Sequence, residues 1–315
     1  MRKQRPFRFS IAVNHSGSKA EWIEVARQAE DLGYSTLLIP DHLGEQFSPI
    51  PSLTLAAEVT KTLRVGSFVF DNDYRHPVML AKEAATLDIL SDGRLELGIG
   101  AGWMKPEYDQ AGFPFDKASQ RIARLEEGVQ IIKGLFADGP VNFSGKHYTI
   151  TNLEGFPKPV QRPRPPIHIG GGGKRLLTVA AREADIVSFI PRQRPDGSGP
   201  DLTDASPAAL DQKVTWVREA AGERFADLEL GVSIAQIITT EDREQAAQFI
   251  AASMGIGDQV STADILNAPY LLMGTEAQIC EDLIARRERY GISYICVLAN
   301  NIETLAPVIA QLAGS

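Results

Sequence analysis

Three short stretches carry residue types that could do chemistry. Asp41-His42 follows an apolar run at 35–39. A histidine placed there can give or take a proton near neutral pH, and the alternative is a core histidine satisfied by Asp41. Gly170-Gly171-Gly172-Gly173-Lys174 lies between another apolar run and a helical pattern. Free N–H groups at a helix N-terminus form an anion site, to which Lys174 would add a charge; the alternative is a flexible strand-to-helix turn. The third stretch alternates Leu95, Leu97 and Ile99 with Glu96, Gly98 and Gly100, then runs through Ala101 and Gly102 to Trp103. A strand tolerates so many side-chain-free positions where something else approaches its backbone, and a tight turn is the other explanation. Other chemistries lack their signatures. The Gly-Lys-Ser/Thr ending of a P-loop is absent, as is Gly-x-Ser-x-Gly, and the histidines and carboxylates show no metal-ligand spacing.

These stretches need elements to position them, and the hydrophobic period supplies a regular set. Strands are expected at 7–13, 35–39, 63–70, 94–100, 166–169, 185–190, 228–238 and 293–298. Helices are expected at 20–32, 51–61, 78–90, 120–136, 174–184, 208–221, 241–254, 275–290 and 303–312. Strand and helix alternate at intervals of about 30 residues, the rhythm of parallel βα units. Eight units in 315 residues predict an α/β fold, a closed (β/α)8 TIM barrel, over an open doubly wound sheet. Insertions follow strands four, six and seven, and 142–150 has the pattern of a small hairpin. The whole chain, 1–315, reads as one domain without further repeats. In such a barrel ligands sit at the carboxyl ends of the strands, which is where the three stretches fall.

Composition narrows the partners. With 43% hydrophobic and 23% charged residues the chain is ordinary globular protein. A net charge of −8 argues against nucleic acid and anionic membranes, both of which demand a basic face. No run approaches the roughly 20 apolar residues of a membrane span, and the basic start lacks a signal-peptide core. Cys280 and Cys296 suit a reducing cytoplasm and read as small packed residues. The expectation is a cytoplasmic enzyme with a small-molecule substrate.

Several segments together resemble the bacterial luciferase-like flavin and deazaflavin oxidoreductases. They are Ala29-Glu30-Asp31-Leu32-Gly33-Tyr34 leading into Ile39-Pro40-Asp41-His42, Leu63-Arg64-Val65-Gly66-Ser67, and Arg75-His76-Pro77. The block 85–103, the stretch 121–128, Pro166 to Gly171 and Met273-Gly274-Thr275-Glu276 complete the match, whose details are most similar to actinobacterial members assigned to coenzyme F420. The resemblance implies a barrel with a flavin or F420 ring against strands two to four, beside Phe68, Val69, Gly100, Ala101, Gly102 and Trp103. It implies a non-proline cis peptide at Phe68-Val69, and phosphate held by Gly170, Gly171, Gly172, Gly173 and Lys174. It makes His42 the catalytic residue at the ring, with Asp41 contacting the cofactor or orienting His42, and it suggests a homodimer. The family's sugar-phosphate dehydrogenases carry Glu where this chain has Trp103. That departure, with Phe68, Phe70 and Tyr108 near the mouth, points to a hydrophobic substrate.

The expected function is hydride transfer between reduced F420 and a small organic C=C, C=N or C=O compound. Arg175, Arg192 and Arg194 would meet the anionic tail of F420, or stand as solvated loop charges. The alternative is an FMNH2-dependent monooxygenase working with a separate reductase. A binding-only descendant and a sugar-phosphate isomerase fit the residues less well, the latter for want of a base other than Asp41 or Asp71 at a strand end.

Overall fold

The computed structural model describes residues 4–14, 17–253 and 261–315. Its centre is a parallel barrel of eight strands: Arg8–Ala12, Thr36–Ile39, Arg64–Ser67, Leu95–Gly100, Ile167–Gly171, Ile186–Phe189, Glu229–Ser233 and Ile292–Leu298. They are called strands one to eight below. Each pairs with its sequence neighbour, and strand eight closes on strand one through the register Arg8↔Tyr294 to Ala12↔Leu298. Strand four meets strand three at Val65↔Leu95 and strand five at Leu97↔Ile167.

The period-2 pattern sorts side chains between two environments. Phe9, Ile11, Leu37, Ile39, Leu97 and Ile99 face outward into one large core against the helices. The alternate positions fill the barrel. At its amino end Glu96, wholly buried, accepts from Arg64 (2.8 Å) and Tyr294 (2.9 Å) and pairs with Arg8. Burial raises its pKa, but Arg8 and Arg64 outweigh that and hold it ionised below the usual range. Above this layer His168 donates to or accepts from Ser188 at 2.7 Å, and burial pushes the imidazole down to about 4, so it is neutral. Ala12, Leu38 and Cys296, with Phe68 and Leu298, form a small apolar layer higher still. Cys280 and Cys296 are both buried thiols.

The predicted rhythm is realised with adjusted ends. The helix expected from 51 begins at Pro49, since proline is tolerated in a first turn. The seventh strand was expected to run to 238, but it leaves the barrel after Ser233. Ile234 N–H still bonds strand eight at the Cys296 carbonyl; Ala235 N–H then turns to the Tyr270 carbonyl, and Gln236–Thr239 pairs in parallel with Leu271–Gly274 outside the barrel. An apolar run continuing through the bend hides this break, and the strand at 271–274 was not expected at all. The hairpin of Pro140–Ser144 with Thr149–Glu154 lies where 142–150 was expected to form one. Two short helices, Lys105–Ala111 and Thr262–Leu266, occupy segments where no element was expected. Among the described residues no helix is long and apolar enough to cross a membrane.

Candidate active site

Each polar group at the carboxyl end of the barrel is set by the turn that ends its strand. Pro40 cannot donate to a sheet ladder, so the chain leaves strand two there and presents Asp41 and His42. Strand three ends in a cis peptide between Phe68 and Val69, at the position named from the sequence. Strand four ends at Gly100, and the carbonyls of Ala101 and Gly102 are taken by Arg121 at 3.0 and 3.3 Å. Strand five runs into Gly172 and Gly173, and the helix Lys174–Glu183 starts with no side-chain cap. Its first N–H groups are therefore left to an outside acceptor.

Together these ends enclose a cavity of about 510 Å³ with a largely apolar lining. Of the residues singled out from the sequence, Asp41, His42, Phe68, Val69, Gly100, Ala101, Gly102, Trp103 and Gly170 to Gly173 line it. Lys174 does not: its ammonium lies 6.0 Å from the centroid of the Trp216 ring, on the outer side of the helix. Arg175, next along, is the basic residue of that turn which lines the cavity. Tyr108 is wholly buried behind the wall, and Tyr74 lines the mouth instead. His15 lies outside the described residues. His76 caps the helix Pro77–Leu90, accepting from Val78 N–H.

His42 is not oriented by Asp41. Asp41 forms a two-pronged pair with Arg75 and accepts the Asp71 N–H at 3.1 Å. The partner of His42 is Glu107, whose Oε2 stands 3.0 Å from Nδ1. The same carboxylate accepts from Leu43 N–H (3.2 Å) and the Tyr74 hydroxyl (3.4 Å). A carboxylate at Nδ1 selects the tautomer protonated there and leaves Nε2 as the second nitrogen. Trp103 meets the imidazole edge to face at 5.8 Å. Glu107 sits 65 residues from His42 in the insertion after strand four. Its sequence signal was the Lys-Pro-Glu start of a helix, with proline and an acid in the first turn directly after a strand end.

A buried acidic pocket backs this wall. The Tyr108 hydroxyl donates to Asp71 Oδ2 at 2.7 Å and reaches Asp73 Oδ2 at 3.2 Å. Burial raises the Asp71 pKa to about 6, against the opposing bonds from Tyr108 and the Asp73 N–H.

The two glycine-rich strand ends differ in what fills them. A Cβ on Gly98 would sit 1.9 Å from the Ser67 carbonyl oxygen, on Gly100 2.6 Å from Val69 Cγ2, and on Gly102 1.8 Å from the Tyr108 hydroxyl. Strand four is glycine-rich because the chain's own strand three and Tyr108 press onto it; room for a ring is not needed to explain those residues. At strand five a Cβ on Gly171 would meet Leu176 at 2.7 Å and on Gly172 the Arg192 N at 2.5 Å, and one on Gly170 would just touch Ser188 at 3.6 Å, but Gly173 has nothing within 4 Å and its face is open. Beside them, Gln193 lines the cavity with a buried Oε1 that has no hydrogen-bond partner among the described residues. Arg175 and Arg194 also line it and make no salt bridge among those residues.

Comparison with known proteins places this geometry. Residues 5–293 match the sequence model of the luciferase-like monooxygenase family, and the chain belongs to that family. It is 30% identical over 253 residues to an F420-dependent glucose-6-phosphate dehydrogenase of Nakamurella multipartita, covering 77% of this chain and 71% of that one. It is 27% identical to the oxygenase component of the flavin-dependent trigonelline monooxygenase of Acinetobacter baylyi, over 86% of this chain and 72% of the other. The fold is shared with the F420-dependent tetrahydromethanopterin reductase of Methanopyrus kandleri, with a TM-score of 0.77 at 20% identity, covering 98% and 99% of the two chains.

Proposed function

We propose that this protein is an F420-dependent oxidoreductase that moves a hydride between reduced F420 and a small hydrophobic organic compound bearing a C=C, C=N or C=O bond. The observation that carries the reading is the polarity of one cavity. At one end stands His42, backed by Glu107 and walled by Phe68, Tyr74 and Trp103. At the other lie the uncapped helix start, the open face of Gly173, and the side chains of Arg175 and Arg194. A tricyclic ring with a phosphate and a further anionic tail fits that arrangement: apolar walls for the ring, backbone N–H groups and the Gln193 Oε1 for the polar stem, and cations beyond the phosphate for the tail. Arg175 and Arg194, which make no salt bridge among the described residues, could balance an FMN phosphate dianion as well as an F420 phosphodiester with its carboxylate tail, so the preference for F420 is supported by the likeness to F420-dependent dehydrogenases.

The bound cofactor would supply the hydride equivalent, and the chain supplies placement and proton handling. Glu107 fixes the His42 ring with Nδ1–H turned to the carboxylate, which leaves Nε2 as the nitrogen that would take up or return a proton when the cofactor is bound. The aromatic wall excludes water and receives an apolar substrate. Trp103 takes space beside His42, which disfavours a polyhydroxylated substrate such as a sugar phosphate. The relation to a flavin-dependent oxygenase component supports a second reading, FMNH2-dependent oxygenation with a separate reductase.

Turnover separates the two. Under argon, the protein with reduced F420 and a panel of enones, imines and ketones should regenerate oxidised deazaflavin absorbance. Consumption of oxygen with reduced FMN, and no deazaflavin turnover, would reverse the assignment.

A further inference from the structure

Lys213 is a charged residue in a place where the sequence pattern asks for an apolar one. On the helix Pro207–Ala221 it shares the buried face with Leu210, Val214 and Val217, and it has no exposed surface. A buried ammonium persists only when its donors are fully met. Its Nζ lies 2.6 Å from Asp204 Oδ2, 2.9 Å from the Ile190 carbonyl, 3.1 Å from the Tyr270 hydroxyl and 3.2 Å from the Asp204 carbonyl. Those oxygens come from both ends of the loop after strand six and from the insertion after strand seven.

Asp204 carries the contact onward. Its Oδ2 also accepts the Arg192 N–H at 2.7 Å, and its Oδ1 lies 3.3 Å from Arg192 Nε. Arg192 lines the cavity. The backbone that Lys213 and Asp204 hold is pressed against the glycine turn. A Cβ on Gly172 would stand 2.5 Å from Arg192 N and 2.6 Å from the Ile190 oxygen.

We propose that Lys213 is a positioning residue: through Asp204 it sets Arg192 and the 190–192 backbone against Gly172, and so fixes the cradle that receives the phosphate and tail of the cofactor. This rests on the reading of the Gly170–Gly173 turn as the phosphate end.

The test uses two pairs of probes that differ in the phosphorylated part: F420 against its chromophore lacking phosphate and tail, and FMN against riboflavin. Affinities are measured by fluorescence quenching for the wild type, Lys213→Met, Arg192→Ala and the double variant. With whichever phosphorylated probe the wild type prefers, Lys213→Met should weaken binding tenfold or more while changing the dephosphorylated partner less than twofold. In the Arg192→Ala background, Lys213→Met should add less than threefold. Equal losses for both members of a pair, no loss, or full additivity with Arg192→Ala would overturn the positioning role. If Lys213→Met does not fold, Asp204→Asn, which keeps the shape of the carboxylate, is held to the same criteria. A wild type that binds no phosphorylated probe more tightly than its partner overturns the phosphate-end reading first, and the positioning role with it.

Discussion

Two strand ends of this barrel look alike as sequence and differ in what their last glycines face. At the end of strand four, Gly98, Gly100 and Gly102 are small because the chain itself occupies the space beside them. Ser67, Val69 and Tyr108 come closer than any Cβ allows. At the end of strand five Gly171 and Gly172 are hemmed in by Leu176 and the 190–192 backbone, but Gly173 has nothing within 4 Å, the following helix lacks a cap, and Arg175 and Arg194 line the cavity with no salt bridge among the described residues. The first region is architecture that happens to form a cavity wall. The second is a surface left unfinished, and unfinished polar surface is what a ligand completes. A run of glycines therefore says that something comes close; only the packing says whether it is the protein or a guest.

Substitution at the filled end should show the largest effect. Gly98→Ala forces a methyl into the Ser67 carbonyl, a backbone atom that cannot swing away, and should cost about 3 kcal/mol or more in chemical denaturation. A change under about 0.5 kcal/mol would remove the distinction. His42, at the open side of the wall, should behave in the reverse way. His42→Ala should slow hydride transfer on the order of 10²-fold or more, while stability and cofactor affinity change little. Equal losses in rate and affinity would make His42 a binding residue.

Asp71 sharpens the comparison through pH. Its Oδ2 lies 2.4 Å from where a Gly102 Cβ would be, so the tight packing of the first region is what buries it. Its pKa is about 6 in the folded protein and 3.8 in the open chain, so the folded state binds the extra proton. Its contribution to stability is complete below about pH 4 and is lost as pH rises through 6. Asp71→Asn should match the wild type near pH 4 and exceed it by roughly 2–3 kcal/mol at pH 8. A difference independent of pH would show that Asp71 is ionised throughout. The smallest effect on stability belongs to the open end. Gly173→Ala, with nothing within 4 Å, should leave stability within about 0.5 kcal/mol and weaken a phosphorylated cofactor by about tenfold, read by titration.

The alternating barrel was legible because hydrophobic period reports which faces are buried, and that does not depend on the partner. The ends of the elements were less so. The apolar run 228–238 spans a bend marked by the switch of partner from Cys296 in strand eight, at Ile234, to Tyr270, at Ala235. At the site, Asp41, His42 and the glycine turn stood out because they are local motifs at strand ends. Glu107 and Tyr74 did not, since their roles come from contacts with His42 across 65 and with each other across 33 residues of chain. Lys174 was chosen for its place after the glycines, yet the helix turns it outward and brings Arg175 to the cavity. Lys213 did leave a trace, as a charge on the apolar face of a helix.

The most direct test of the account is a pair of fluorescence-quenching titrations on the purified protein, one with F420 and one with FMN. Saturable binding of F420, much tighter than that of FMN, is the result that the proposed F420-dependent activity predicts for a cavity with apolar walls at one end and Arg175 and Arg194 beyond a phosphate turn at the other. Tight FMN binding with weak F420 binding would contradict it and make the protein a flavin-dependent oxygenase.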